Sequence, residues 1–316
     1  MNHRLLMSSV CGAALIASVM PASADTPFTG VVQLSVGAGS TSGGGLLASA
    51  VEDPVNVDLK AKGLWNLGGE LDVQVDLFHE RASNLFDIDG KDSGANLGGT
   101  VHLIHSIENR ARLGFAGSLW SNDTLFSSGD RSEARYGLAA VEGQFFDTNW
   151  TLSGQMGLFD QIGCDAPCAG TIEDGTYIQG KIRYFLNDNT SLSLATTQMW
   201  GSLNTNDPIF GGKALSDSTS HTLWRLEAEH RFANTPLSGL VAFSHERNET
   251  EFNNITLDTN TVWLGVRFYL DQTTLKANDR AGAEFETPTF GNSLESAGVT
   301  SAPPPTMVAS PGSPPL

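Results

Sequence analysis

The sequence has 316 residues, of which 40% are apolar and 17% are charged, with 35 acidic and 18 basic side chains. The net charge of −17 argues against a nucleic-acid-binding protein, because binding to phosphates requires an excess of Lys and Arg. The apolar share is too high for a chain that is disordered throughout. The charged share lies below the roughly 25% of ordinary soluble domains, which calls for an explanation.

Residues 1–24 are predicted to be a secretory signal peptide. A short start containing Arg4 precedes the mostly apolar run Leu5–Met20, and Ala22–Ala24 fits a cleavage site of small residues. A membrane-spanning anchor would need about 20 uninterrupted apolar residues, and this run is shorter. We therefore expect export, with a mature chain that begins at Asp25.

After the signal peptide, apolar and polar residues alternate with a period of two. In Val55–Gly63 every odd-numbered position is apolar or small and every even-numbered position is polar or charged. Such a period over nine or ten residues is typical of a β-strand. Comparable runs predict twelve strands, at 29–38, 55–63, 71–80, 95–106, 110–120, 134–146, 150–160, 176–186, 190–201, 219–232, 237–247 and 259–270.

The connections between these strands alternate between short and long. The short ones lie at 66–69, 108–109, 147–149, 187–189 and 234–236, and the long ones at 39–54, 81–94, 121–133, 161–175, 202–218 and 248–258. A β-sandwich and a jelly roll are soluble alternatives, but neither requires this alternation.

Long outer loops and short periplasmic turns are typical of barrels in the bacterial outer membrane, and a bilayer forces such a sheet to close. We therefore predict that residues 25–270 form an all-β fold, a transmembrane up-and-down antiparallel β-barrel of about 12 strands.

One face of each predicted strand is apolar and faces lipid, and the opposite, charged face lines the lumen. Acidic residues dominate the strand near 75, and basic residues dominate the strand near 182. Two interpretations stay open: a transverse field that filters ions, or pairing of charges that plugs a narrow barrel. The predicted lumen-facing residues are Asp58, Lys60, Lys62, Asp72, Asp76, Glu80, Arg112, Glu142, Lys181, Arg183, Arg225, Glu227, Glu229, Arg231, Glu246 and Arg267.

Aromatic residues near the strand ends predict two girdles at the membrane interfaces. The periplasmic girdle would contain Trp65, Trp150, Tyr184, Phe232 and Phe268, and the outer girdle would contain Trp120, Trp200 and Trp224.

The two cysteines that follow the signal peptide, Cys164 and Cys168, predict a disulfide in an oxidising compartment. A metal site there is less supported, because no His stands nearby. The acidic loop Asp87–Asp92 lacks the ligand spacing of a helix-loop-helix calcium site. We predict no cofactor and no metal.

Residues 271–316 lie beyond the last predicted strand. The stretch from Ser301 to Leu316 contains six prolines and has no strand periodicity. The whole segment is therefore predicted to be a Pro-rich, disordered periplasmic extension.

The last predicted strand contains Gly265, an aromatic residue three positions later, Phe268, and the apolar Leu270 two positions after that. This spacing resembles the insertion signal of outer-membrane barrels, although Trp263 stands where a polar residue is usual. The chain from 25 to 270 thus resembles the porin-like β-barrels of the Gram-negative bacterial outer membrane.

This resemblance implies a passive channel for ions or small hydrophilic solutes, filtered by lumen charges and located in the cell outer membrane. It also implies contact with outer-membrane lipid and lipopolysaccharide, and assembly by periplasmic chaperones and the barrel assembly machinery. A homo-oligomer is compatible with it, and nucleic acid is not an expected partner.

Three other classes compete with a channel. A non-conducting structural or adhesive barrel, which binds a surface partner through its outer loops, is the main alternative. Outer-membrane phospholipases also have twelve strands, but the outward His79, His105, His230 and His245 do not lie in their motif, so no enzyme is expected. An autotransporter would carry a large passenger before its barrel.

Overall fold

The computed structural model describes residues 28–44, 53–83, 94–108, 110–125, 131–164, 171–204, 216–251, 255–270 and 274–287. Twelve strands account for most of them. They are β1 Phe28–Gly43, β2 Val55–Gly68, β3 Leu71–Ser83, β4 Gly94–Ile107, β5 Ala111–Leu125, β6 Arg131–Phe146, β7 Trp150–Cys164, β8 Thr171–Asn187, β9 Thr190–Asn204, β10 Ser216–Arg231, β11 Leu237–Thr250 and β12 Ile255–Tyr269.

Each strand pairs with its neighbours in the sequence, and β12 pairs with β1 to close the barrel. This closing ladder is antiparallel and runs from the pair Val31 and Tyr269 to the pair Gly43 and Leu257. The predicted all-β fold, an up-and-down antiparallel barrel with twelve strands, is confirmed.

Tight connections join the strands at one end, called here the turn end and predicted to be periplasmic. Gly68 and Gly69 form the β2–β3 turn with φ of 113° and 66°, values that residues with a side chain rarely adopt. Glu108 and Asn234 also have positive φ in their turns, at 44° and 60°. The opposite end is called the loop end.

Most strands extend further at the loop end than the alternation predicted. β1 ends at Gly43 instead of residue 38, and β8 begins at Thr171 instead of residue 176. The predicted long connection at 248–258 shortens in the same way, because β12 begins at Ile255. Beyond the bilayer the outward face need not be apolar, so the alternation ends while the hydrogen-bonded ladder continues.

The outer surface of the barrel is apolar. Side chains such as Leu113, Phe115 and Leu264 alternate with buried residues and are among the most exposed of the barrel. Trp150 and Trp200 are also exposed, as the girdles require. A sheet with this surface is suited to lipid on its outside.

The placement of Trp120 in the outer girdle is wrong. Its side chain is buried inside the barrel, where it stacks on Tyr136 with ring centroids 5.1 Å apart and lies near Phe159. The cause is the pleat of β5, in which Trp120 shares the inner face with Arg112.

Trp120 belongs to an apolar cluster that fills one side of the lumen in the loop-end half. The cluster consists of Phe78, Ala116, Trp120, Ala134, Tyr136, Leu138, Ala140, Phe159, Ile172, Tyr177 and Met199, all from β3 and β5–β9. This packing confines any passage to the other side of the barrel.

The structure differs from the expected disordered extension at residues 274–287. Helix α1 spans Leu275–Ala281, and the side chain of Thr274 caps it by accepting from the Ala277 N–H at 3.2 Å. Residues 282–287 continue into the lumen. This segment is ordered because the inner wall offers it apolar pockets and charge partners that a sequence pattern does not show.

In the described part of the chain, no α-helix has the length and apolar character needed to cross a bilayer. Cys164, at the end of β7, is disulfide-bonded. Cys168 lies outside the described residues, as does the acidic loop 87–92, so the pairing with Cys168 stays a prediction.

Candidate functional site: a charged lumen and its plug

Residues 274–287, called here the plug, occupy the turn-end half of the lumen. Helix α1 lies across the mouth and contacts two turns. The backbone N–H of Lys276 donates to the carbonyl of Asp188 at 3.0 Å, and Arg280 donates to the carbonyl of Thr148 at 2.9 Å. The fully buried Leu275 packs with Val31, Phe185 and Tyr269.

The rest of the plug crosses the lumen toward β2, β3 and β4. Arg112 donates to the carbonyl of Gly282 at 3.0 Å. Ala283 and Phe285 are buried against Leu64 and Ile104. These contacts bring the plug from the mouth to the opposite inner wall.

The backbone of Phe285 is held on both sides. Its carbonyl accepts from Lys62 at 2.8 Å and from Gln74 at 2.9 Å, and its N–H donates to Gln74 at 3.3 Å. At the end of the plug, the Thr287 hydroxyl donates to Asp76 at 2.6 Å. The plug therefore has a defined register on the wall.

Glu286 joins two opposite walls. Its carboxylate contacts Lys62 of β2 at 3.3 Å and also Lys181 of β8, and these strands are opposite each other in the ring of twelve. Arg183, next along the inner face of β8, contacts Glu284 at 2.9 Å and also Asp279. Three basic side chains of the wall thus hold three acidic side chains of the plug.

The basic side chains of the wall lower the pKa of a carboxyl group of the plug. Burial alone would raise the pKa of Glu286, but Lys181 and Lys62 outweigh it and hold the pKa well below its usual value. The carboxylate of Glu286 therefore stays ionised in the docked plug.

A cavity of about 160 Å³ adjoins the plug and extends toward the loop end. The plug contributes Glu284 and Glu286 to its lining, and the wall extends it to Asn56 and Arg81 near the loop ends of β2 and β3. The cavity lies on the side of the barrel away from the apolar cluster. This volume holds several water molecules.

Most other charges of the lumen pair within the wall. Lys60 contacts Asp58 at 3.3 Å and Glu80 at 3.1 Å. Arg225 contacts Glu227 at 3.1 Å, and its guanidinium lies 5.3 Å from the centre of the Trp263 ring.

A second wall network lies around β12. Arg267 contacts Glu227 at 2.8 Å and also Glu229, which accepts from Tyr269 at 2.7 Å. Arg231 lies over the Tyr269 ring at 5.0 Å, and Glu246 lies 3.6 Å from His221.

The acidic strand near 75 does not face the basic strand across open space. Asp72 accepts from Asn66 at 2.7 Å, and Asp76 accepts from Gln74 at 2.8 Å. Behind Asp76, the fully buried His102 is 3.4 Å from its carboxylate and 2.9 Å from Glu142. Of the two open interpretations, this pairing favours charges that are satisfied locally.

The predicted lumen-facing residues lie on the inner side of the strands, and most of them contact the plug, the cavity or one another. Sequence reasoning missed the plug residues Asp279, Glu284, Glu286 and Thr287, and the wall residue Gln74. A signal was present, because the tail places acidic residues near Leu275 and Phe285 before its Pro-rich part. Complementarity between these acids and the bases near 182 could have identified them.

The predicted insertion signal lies on the last strand, β12, and at its end. Phe268 and Leu270 point outward and are exposed, and Gly265 faces inward. A Cβ atom at Gly265 would stand 2.9 Å from the carbonyl oxygen of Leu34 on β1. The use of this insertion signal in assembly stays a prediction.

The sequence matches no protein-family model and no curated protein. In solved structures, an outer-membrane channel from Pseudomonas putida F1 is 17% identical, and the match covers 77% of this chain and 95% of that one with a TM-score of 0.53. The chain has the fold of an outer-membrane β-barrel.

Two further barrels are similar with lower TM-scores. The translocator domain of autotransporter NalP from Neisseria meningitidis is 14% identical, and the match covers 83% of this chain and 95% of that one with a TM-score of 0.43. The P. putida toluene transporter TodX is 10% identical, with 78% and 90% covered and a TM-score of 0.39.

Proposed function

We propose that this outer-membrane barrel is a channel for ions or small hydrophilic solutes, and that its plug closes it at the turn end. The observation that carries this proposal is the charged lumen with its cavity, obstructed by a segment that polar contacts hold at many points. An apolar outer surface and a polar interior are typical of pores in the outer membrane. A solved structure with the same fold is also described as an outer-membrane channel.

Conductance in planar bilayers tests this proposal. The double variant Glu284→Gln, Glu286→Gln removes the charge from three contacts of the plug, each worth about 1.5–3 kcal/mol. Because about 1.4 kcal/mol corresponds to a tenfold change in an equilibrium, we expect the variant to be open at least about tenfold more often than the natural protein.

The matched control is Glu133→Gln, Glu249→Gln. Both residues form exposed ion pairs, Glu133 with Arg135 and Glu249 with Arg247, away from the plug. The control should conduct like the natural protein. A plug variant that keeps its β-sheet circular dichroism but never conducts would contradict the channel.

The same plug supports a second candidate, a non-conducting structural or adhesive barrel. If the plug never leaves the lumen, the lumen charges serve only to hold it. The outer loops would then carry the function by binding a surface partner. This candidate predicts that the folded plug variant does not conduct.

A further inference from the structure

Three basic side chains of the wall depend on the plug for their ion pairs. Within the described residues, Lys62 and Lys181 pair with Glu286, and Arg183 pairs with Glu284 and Asp279. The nearby Lys60 differs, because its partners are carboxylates of the wall itself. Departure of the plug would leave Lys60 paired and would remove the direct ion pairs of these three residues, on which the wall carboxylates of Asp76, Glu227 and Glu229 act only from a longer distance.

These three side chains are covered by the plug that pairs with them. With the plug docked, those of Lys62 and Lys181 are each 11% exposed, and that of Arg183 is 3% exposed. Departure of the plug admits water to them, but it leaves three positive charges around the emptied position without these ion pairs. Carboxylates of another molecule would replace the lost ion pairs.

The plug also indicates the spacing of the groups that fit. Glu284 and Glu286 contact the basic residues, while the alternating Ala283 and Phe285 are buried against the wall. Residues two apart in an extended segment are about 7 Å apart. The three basic side chains therefore accept two carboxylates on a short scaffold.

We propose that Lys62, Lys181 and Arg183 form a binding site for a compact solute with two carboxylate groups, which replaces Glu284 and Glu286 and displaces the plug. This inference rests on the proposed channel and names its solute class. The solute reaches the site through the cavity, which all five side chains line.

Accessibility of the plug tests the inference without measuring current. In the full-length variant Thr287→Cys, the new thiol lies at the Asp76 contact when the plug is docked. Its rate of modification by a maleimide should rise about tenfold in saturating glutarate. Acetate and sulfate at equal ionic strength should change the rate less than twofold. An equal response to sulfate would overturn the dicarboxylate class.

Two variants in the Thr287→Cys background show whether the basic residues are responsible. Lys181→Gln should abolish the glutarate response, and Lys60→Gln, in the same cavity, should keep it. If Lys181→Gln already exposes the thiol fully, glutarate binding is measured by calorimetric titration instead of by the labelling rate. Binding that is equal in the two variants would contradict the site.

The two proposals fail in different ways. Conductance in the plug variant without any effect of glutarate on labelling or binding overturns the inference and leaves the channel intact. Labelling that glutarate accelerates, in a protein that never conducts, overturns the channel and supports the site.

Discussion

Gly157 lies on the inner face of β7 where the wall leaves no room for a side chain. A Cβ atom there would stand 2.5 Å from the carbonyl oxygen of Ala139 and 2.7 Å from the Tyr177 ring. Backbone atoms cannot yield as a flexible side chain can, so the apolar cluster is closely packed at this point.

We therefore expect Gly157→Ala to lower the free energy of unfolding by about 1–3 kcal/mol through overpacking. The matched control is Gly154→Ala on the same strand, where the nearest atom to a Cβ would be 3.7 Å away. Urea unfolding in detergent micelles, followed by tryptophan fluorescence, measures both. Equal destabilisation of the two variants would contradict this account.

The direction of a single side chain could largely be predicted from the sequence, but its partner could not. Alternation along β2 and β8 correctly placed Lys62 and Lys181 on the inner face. The contact of both with Glu286 could not be predicted. It depends on the ring of twelve strands and on a segment more than 100 residues further along the chain than Lys181. For Trp120 the direction of the side chain was itself predicted wrongly, because proximity to a strand end does not reveal whether a side chain faces inward or outward.

At the scale of elements, the strands were predictable and the plug helix was not. A period of two persists over a whole membrane span, so each of the twelve strands was identified. Helix α1 has seven residues, too few to be stable alone, and the barrel stabilises it through Leu275 and the turn contacts. Helix α1 is therefore ordered because the barrel provides its docking site.

Docking of α1 should therefore depend on Leu275, which is completely buried. Leu275→Ala is expected to weaken docking by about 2–5 kcal/mol, and so to increase the open fraction in planar bilayers at least tenfold. Ala281→Ser changes an exposed residue of the same helix and should have no effect. An unchanged open fraction in Leu275→Ala would show that α1 does not hold the plug.

At the scale of the whole molecule, the charge pairing between wall and plug predicts the response to pH. The pKa of Glu286 is held well below its usual value by Lys181 and Lys62, despite burial. A lowered pKa means that this carboxylate stabilises the docked plug above the ordinary carboxyl pKa of about 4.3, and that the stabilisation is lost as the pH falls through the lowered value.

We therefore expect the open fraction to stay constant from pH 7 to about 5 and to rise only at more acidic pH. Conductance measured across this range, with symmetrical buffers, checks the expectation. Glu286→Gln should reduce the response, because its side chain does not titrate, and Glu284, whose pKa is also lowered by Arg183 despite burial, should supply the rest. Opening that begins near pH 6 in the natural protein would contradict the role of Glu286.

The position of the plug after β12 also sets an order in time. Its partners come from strands spread around the ring, such as Lys62 of β2, Arg112 of β5 and Arg183 of β8, so its complete docking site exists only after β1 and β12 have paired. The plug also follows all twelve strands in the sequence. We therefore expect complete docking of the plug to follow closure of the wall, so that residues 274–287 close the lumen as the last step of assembly.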